Sequence, residues 1–195
     1  MEAKGHLIVI VAPSGTGKTS LLARLKEEIP EIVESVSWTT RPKRKGEREG
    51  VDYVFVSEEK FIQKRDGGGF LEWALVHSHY YGTPLEELRR EYERGRTVLC
   101  DLDVQGRDSM KKAFPKARVI FIEPPSLADL ERRLRGRGTD SEEVIALRLA
   151  NAKRELESKG NCDYLIVNDN FERAYGELKE IVENMRENPE PPCKN

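Results

Sequence analysis

The stretch HLIVIVAPSGTGKTS, from His6 to Ser20, limits what this chain can fold into more than any other. Its unbroken apolar run, Leu7–Ala12, suits a strand buried on both faces. The run breaks at once into glycines. From Lys18 onward Leu21, Leu22, Leu25 and Ile29 recur at helical spacing, and Pro30 stops the helix. Strand, glycine turn and helix in that order are the setting that the phosphate-binding pattern G-x-x-x-x-G-K-[ST] requires.

That pattern, the P-loop, covers Ala12, Pro13, Ser14, Gly15, Thr16, Gly17, Lys18 and Thr19, with alanine at its first position. Gly15 and Gly17 let the backbone curl so that successive N–H groups point at one anion. Lys18 adds a point charge towards the β- and γ-phosphates, and Thr19 offers a hydroxyl to Mg²⁺. The helix opened by the loop adds the partial positive charge of its N-terminus. The competing reading is a chance Gly-Lys-Thr turn, which the flanking strand and helix disfavour. Ala12 is tolerated if its φ is negative.

The remaining chain alternates in the same way. Further strands are expected near Ile32–Ser37, Thr97–Asp103, Ala117–Glu123 and Tyr164–Asn168. Helices are expected over Pro84–Arg94, Val104–Ala113, Ser126–Arg135, Ser141–Ser158 and Phe171–Arg186. Repeated strand–helix–strand units predict an α/β fold, a parallel sheet flanked by helices. Residues 38–83 break the rhythm. DYVFVS and HYYGT read as strands, SEEKFIQKR as a short helix, and Gly67, Gly68 and Gly69 as a flexible joint before FLEW. This is a small mixed, partly antiparallel insert. RRLRGRGTDSEE, Arg132–Glu143, has the composition of a mobile, Arg-rich lid. The expected organisation is a core of residues 1–37 and 84–195, with a lid at about 126–148 and an insert at 38–83. The tail NPEPPCKN should fray.

Bulk properties exclude several functions. The 195 residues carry 33 basic and 35 acidic side chains, a net charge of −2, which argues against a nucleic-acid binder. The longest apolar run is far too short to span a membrane. MEAKGH lacks the apolar region of a secretion signal. Cys100, Cys162 and Cys193 form no Cys-x-x-Cys, which reads as reduced, cytoplasmic and without structural zinc. His77 and His79 read as surface residues.

Two groups of charged residues remain. Asp101 and Asp103 end an apolar strand in VLCDLD, and alternation puts them on the same side, where a carboxylate can orient Mg²⁺ through water. Asp103 also stands where it can cap the next helix, so it serves either role or both. Among Arg132, Arg133, Arg135 and Arg137, several must simply face water. At least one is expected to act with Arg148. That arginine interrupts the apolar pattern of Val144, Ile145, Leu147 and Leu149, and on a buried side it needs an anion.

Over nearly its whole length the sequence resembles guanylate kinase. The pattern S-x-x-x-T-R-x-x-R-x-G-E-x-x-G-x-x-Y-x-F reads from Ser37 through Thr40, Arg41, Arg44, Gly46, Glu47, Gly50 and Tyr53 to Phe55. FLEWA, YYGTP, DLDVQG, RLRGRGTDSEE and VNDN follow in the family's order. The resemblance implies transfer of the γ-phosphoryl group of MgATP to GMP, with dGMP as a related acceptor. It also implies a P-loop kinase fold with a GMP-binding insert and a lid. Ser37, Arg41, Arg44 and Tyr53 would hold the GMP phosphate, with Tyr81 in reach. Glu72 and Thr83 would read guanine, together with Ser37 or Asp101. Arg137 and Arg148 would clamp the ATP phosphates, and Asn168 would contact adenine. Lys43 and Lys45 depart from the family's smaller loop residues, and RDGGGF is unusually rich in glycine.

Elementary chemistry agrees. Guanidinium groups bind phosphate bidentately. A carboxylate at Glu72 accepts both N1–H and N2–H₂ of guanine and would be left unpaired against adenine. Thr83 has two readings of equal weight, because TPLE is also a helix start with Thr83 as N-cap. Tyr53 and Tyr81 also fit a plain insert core. Lys18, Arg44, Arg137 and Arg148 are the residues expected to act on the transferred group, without a covalent intermediate. A monomer or homodimer is expected. The rivals are a non-catalytic peptide-binding relative and a kinase for another monophosphate. The intact Lys18, Thr19, Ser37, Arg41 and Arg44 argue against the first, and Glu72 against the second.

Overall fold

The computed structural model describes residues 5–76, 78–136, 138 and 140–187. In chain order the elements are β1 (His6–Val11), α1 (Lys18–Glu28), β2 (Val33–Glu34), β3 (Trp38–Thr39), β4 (Val54–Phe55), α2 (Glu58–Asp66), β5 (Phe70–Val76) and β6 (His79–Pro84). There follow α3 (Leu85–Glu93), β7 (Thr97–Asp101), α4 (Val104–Ala113), β8 (Arg118–Glu123), α5 (Leu127–Gly136), α6 (Glu142–Glu157), β9 (Tyr164–Val167) and α7 (Phe171–Glu187).

The first apolar run decides the layers. Along β1 successive side chains point to opposite faces. Ile8 and Ile10 join Leu21 and Leu25 of α1 and Leu178 and Val182 of α7 in one core. Leu7, Val9 and Val11 join Leu88 of α3 and Met110 of α4 in another. Burying one such side chain contributes about 1.5–3 kcal/mol, so neither face of β1 tolerates a polar residue. The parallel sheet runs β2-β7-β1-β8-β9. From β1 the chain runs to the edge strand β2, returns with β7 between the two, and then crosses to the other side with β8 and β9. The carboxyl ends of β1 and β7 therefore border the crevice where such sheets take ligands. Among the described residues no helix is long and apolar enough to cross a membrane.

The second sheet has the order β4-β3-β6-β5, with β3 and β4 parallel and the other pairs antiparallel. Phe61 of α2 stacks on Phe70 at 4.4 Å and on Tyr80 at 5.3 Å between ring centres, giving the sheet its own packing. Three expectations change here. FLEWALV is a full strand, β5, at the open edge of the sheet. Gly67–Gly69 is a helix stop and not a flexible joint. Gly69 N donates to Lys64 O at 2.8 Å and Gly68 N to Arg65 O at 2.9 Å, with Gly68 at φ 70. This is the hydrogen-bond pair of a Schellman cap, which needs a left-handed residue. Finally, Thr83 does not cap α3. It belongs to β6, and the N-cap is Pro84, which cannot accept a side-chain cap bond.

α5 and α6 pack on each other through Leu130, Leu134, Ile145 and Ala152. The apolar pattern of α6 is only half buried, with Val144 40% and Leu147 61% exposed. Arg148 thus lies on a half-exposed side and not a buried one. Its partner is Asp140, at 3.1 Å.

Candidate active site

The P-loop joins β1 to α1. Gly15 has φ 94 and Gly17 has φ 96, a region that side chains other than glycine's rarely enter. Ala12 is not strained, because Ser78 is the only non-glycine residue with positive φ among the described residues. The loop curls around a cavity of about 380 Å³, bounded by residues 11–20 together with Asp101, Asp103 and Glu155. Lys18 Nζ is paired with Asp101 Oδ1 at the end of β7. Asp103 caps α4, its carboxylate accepting from Gly106 N at 2.8 Å, and it still borders the cavity. Thr19, Asp101 and Asp103 thus present oxygen donors to one space, the ligand type that hard divalent ions take.

Two residues around this loop, and a third in the insert, were given no role of their own by the sequence. Glu155 of α6 faces the cavity. Burial raises its carboxyl pKa, Lys18 opposes that shift and Asp103 adds to it. In AKRELESK nothing separates it from its charged neighbours. Arg133 of α5 donates to Thr16 O at 3.1 Å and to Asn168 O at 2.7 Å. Of its neighbours in RRLRGRG, Arg132 and Arg135 behave as solvated pairs, Arg132 with Asp129 and Arg135 with Glu131 and Glu142. Arg137 lies outside the described residues. Asn168, only 4% exposed, donates from Nδ2 to Thr16 O at 2.6 Å, so its amide reaches the loop backbone.

The cationic stretch between β3 and β4 is ordered by carboxylates. Arg41 is buried, and its guanidinium holds Glu47 by a two-bond fork at 2.7 and 3.1 Å. Its Nε donates to the Tyr81 hydroxyl at 3.2 Å, and its charge lies 5.6 Å from the Tyr53 ring centre. Glu47 also accepts from Arg44 N at 2.7 Å, while the Arg44 side chain is exposed. The pairing holds the Glu47 carboxyl below its ordinary pKa, with Arg41 the larger cause and Arg44 N the next. Glu47 is therefore the third residue missed. It stood in the quoted pattern, but without an assigned role. Lys43, Lys45 and Arg48 face solvent. Tyr53 packs edge-on against Tyr81 at 5.8 Å. Its hydroxyl pKa is raised by burial first, and the charge of Asp101 is among the smaller causes.

On β5, Glu72 is paired in register with Thr83 of β6, whose hydroxyl donates to Glu72 Oε1 at 2.5 Å. Burial raises the Glu72 carboxyl pKa, the Thr83 bond opposes the shift, and Asp103 adds to it. Ser37 precedes β3, and its carbonyl accepts from Val54 N at 3.0 Å. Cys100, next to Asp101, is fully buried, and burial pushes its thiol up to about 12.

The sites described are one P-loop cavity that reaches the carboxyl end of β7, one buried arginine fork and one half-buried carboxylate. A family model described as guanylate kinase matches residues 4–185. The guanylate kinase of Oleidesulfovibrio alaskensis is 54% identical over 175 residues, which cover 90% of this chain and 85% of that protein. That of Nitratidesulfovibrio vulgaris is 49% identical over 194 residues, 100% of this chain and 93% of the other. The crystal structure of guanylate kinase from Anaplasma phagocytophilum matches with a TM-score of 0.73 at 33% identity, covering 94% of this chain and 87% of that one.

Proposed function

This chain belongs to the guanylate kinase family and is an ATP:GMP phosphotransferase, and we propose that three of its surfaces divide that reaction between them. The observation that carries the division is the position of Asp101. It is paired with Lys18 in the P-loop, and its charge reaches Tyr53 in the insert. On this reading Asp101, at the end of β7, stands between the donor-phosphate and acceptor-phosphate sites.

The donor side is the P-loop. Its N–H groups and Lys18 hold the β- and γ-phosphates of ATP, and Arg148 with Arg137 closes on them from the lid at about 126–148. Family members are nucleotide kinases that generally use a divalent metal with ATP. We assign Mg²⁺, with the Thr19 hydroxyl and the Asp101 carboxylate, through water, as the residues that hold it. Bound there, it supplies charge neutralisation of the transferred phosphoryl group. We assign Asn168, which lies beside the donor loop, to the contact with adenine.

The acceptor side is the insert, residues 38–83. Arg41, Arg44, Ser37, Tyr53 and Tyr81 hold the GMP phosphate, with Glu47 keeping the Arg41 fork in place in the free protein. A phosphate oxygen of GMP is the nucleophile, so no side chain forms a covalent intermediate, and catalysis is positioning and charge stabilisation. Lys18, Arg44, Arg137 and Arg148 act on the transferred group. The base is read by Glu72. Thr83 donates to Oε1, which leaves Oε2 and the second lone pair of Oε1 for the two guanine donors and holds the carboxylate at a fixed angle. Ser37 or Asp101 completes that contact. None of these assignments uses the ribose 2′-hydroxyl, so dGMP is proposed as an acceptor too. A cytoplasmic enzyme, monomeric or homodimeric, is the accompanying expectation.

The test is a coupled ADP-release assay with ATP and a panel of GMP, dGMP, AMP, UMP and CMP. GMP should be preferred by orders of magnitude, with dGMP next. Equal turnover of AMP would overturn the role of Glu72.

A further inference from the structure

We propose that Arg133 is a positioning residue for the phosphate cradle. Through the carbonyl of Thr16 it sets the direction of the Gly17 N–H. The proposal rests on the reading of the P-loop as the donor-phosphate site.

The argument starts from the peptide unit. A trans peptide is planar, so the C=O of Thr16 and the N–H of Gly17 point in opposite directions. The Thr16 carbonyl accepts from Arg133 at 3.1 Å and from Asn168 Nδ2 at 2.6 Å. Neither side chain borders the P-loop cavity, so the carbonyl is turned out of it. The Gly17 N–H is thereby turned inward, towards where an anion would sit. The loop alone does not enforce this. Glycines at 15 and 17, both at positive φ, leave the intervening peptides little hindered against rotation. A flipped Thr16–Gly17 peptide would present an oxygen to the phosphates in place of a donor.

The remaining contacts leave the clamp few alternatives. The Thr16 side chain is fully buried, and its hydroxyl is spent on Pro13 O at 2.8 Å. Arg133 is anchored at its other nitrogen by Asn168 O at 2.7 Å. Leu134, the next residue of α5, packs so closely on Gly15 that a Cβ there would lie 2.8 Å from its methyl carbon. One turn of α5 therefore templates the loop.

The experiment uses the full chain and compares wild type, Arg133→Lys and Asn168→Ala, which leave the net charge unchanged. Calorimetry measures binding of inorganic tripolyphosphate, which carries no base, alongside ADP and GMP. Steady-state kinetics separate KM for ATP from KM for GMP. Wild-type protein that neither binds tripolyphosphate nor phosphorylates GMP would defeat the donor-site reading itself, whatever the variants do. With that reading intact, Arg133→Lys should weaken tripolyphosphate and ADP in parallel by about ten-fold, raise KM for ATP to match, and leave GMP affinity unchanged. Asn168→Ala should do the same by a smaller factor, and decides the matter if Arg133→Lys does not fold. Unchanged tripolyphosphate binding, with or without weaker ADP binding, overturns the proposal. So does a loss of GMP affinity in step with that of tripolyphosphate, which would mark a general loss of structure.

Discussion

The two anion sites are built of different material. The P-loop presents backbone donors, whose directions are set by φ angles and by the restraints on the Thr16 carbonyl. The loop between β3 and β4 presents side chains, and the buried one, Arg41, is held by a built-in anion, Glu47. Lys18 shows the same device inside the backbone site, with Asp101 as its counter-ion. A backbone cradle open to solvent costs little to keep, because its N–H groups carry only partial charges and solvent can satisfy them. A buried guanidinium does need one. The fork is therefore filled by a carboxylate in the free protein, and under the proposed acceptor role an incoming phosphate must share or displace it.

Predictions that strain this contrast come in descending order. Lys18→Ala removes the cationic side chain that lines the backbone site and should lower turnover by about 10³-fold in the ADP-release assay, with the fold intact by circular dichroism. Turnover near that of wild type would mean that the N–H groups suffice alone. Arg41→Ala strips the buried fork and strands Glu47, so the KM for GMP should rise by about 10²-fold. Lys45→Ala in the same loop should change it less than about two-fold at moderate salt. Equal effects would erase the division between buried and solvated cations.

The smallest effect is a pH dependence. Glu72 must be ionised to accept from guanine, and its pKa is raised above 4.5, chiefly by burial. GMP affinity should hold constant above that raised value and fall as pH drops through it, a step that Glu72→Gln abolishes. Stability moves the other way. The protonated form favours the fold below the ordinary carboxylate pKa, and that contribution is lost as pH rises through the raised one. Above it, Glu72→Gln should melt slightly higher than wild type. A binding curve flat through the acid range would show that the carboxylate does not read the base.

What could be read from the chain follows the same physics. β1 and the P-loop were legible because a strand buried on both faces, followed by a glycine turn, leaves little else to build. The edge strand β5 was read only as FLEW after a joint, because an edge exposes Trp73, Leu75 and Val76 and leaves no buried stripe to follow. The Thr83 ambiguity was real at the level of TPLE. Only the pairing of β5 with β6 sends its hydroxyl to Glu72 and starts the helix at Leu85. Arg133 was hidden among arginines of equal local character. What distinguishes it is a pair of backbone carbonyls 117 and 35 residues away in the chain, which no local pattern encodes.

Cys100 sits one residue from Asp101, inside a sheet that covers it completely. Burial pushes its thiol up to about 12, which holds it in the unreactive protonated form at neutral pH. Peroxides and alkylating reagents attack the thiolate, so Cys100 is shielded from them while the core around it stays closed. Sulfur chemistry at that position would report unfolding and not catalysis. Modification of Cys100 would then serve as a built-in clock for opening of the central strands.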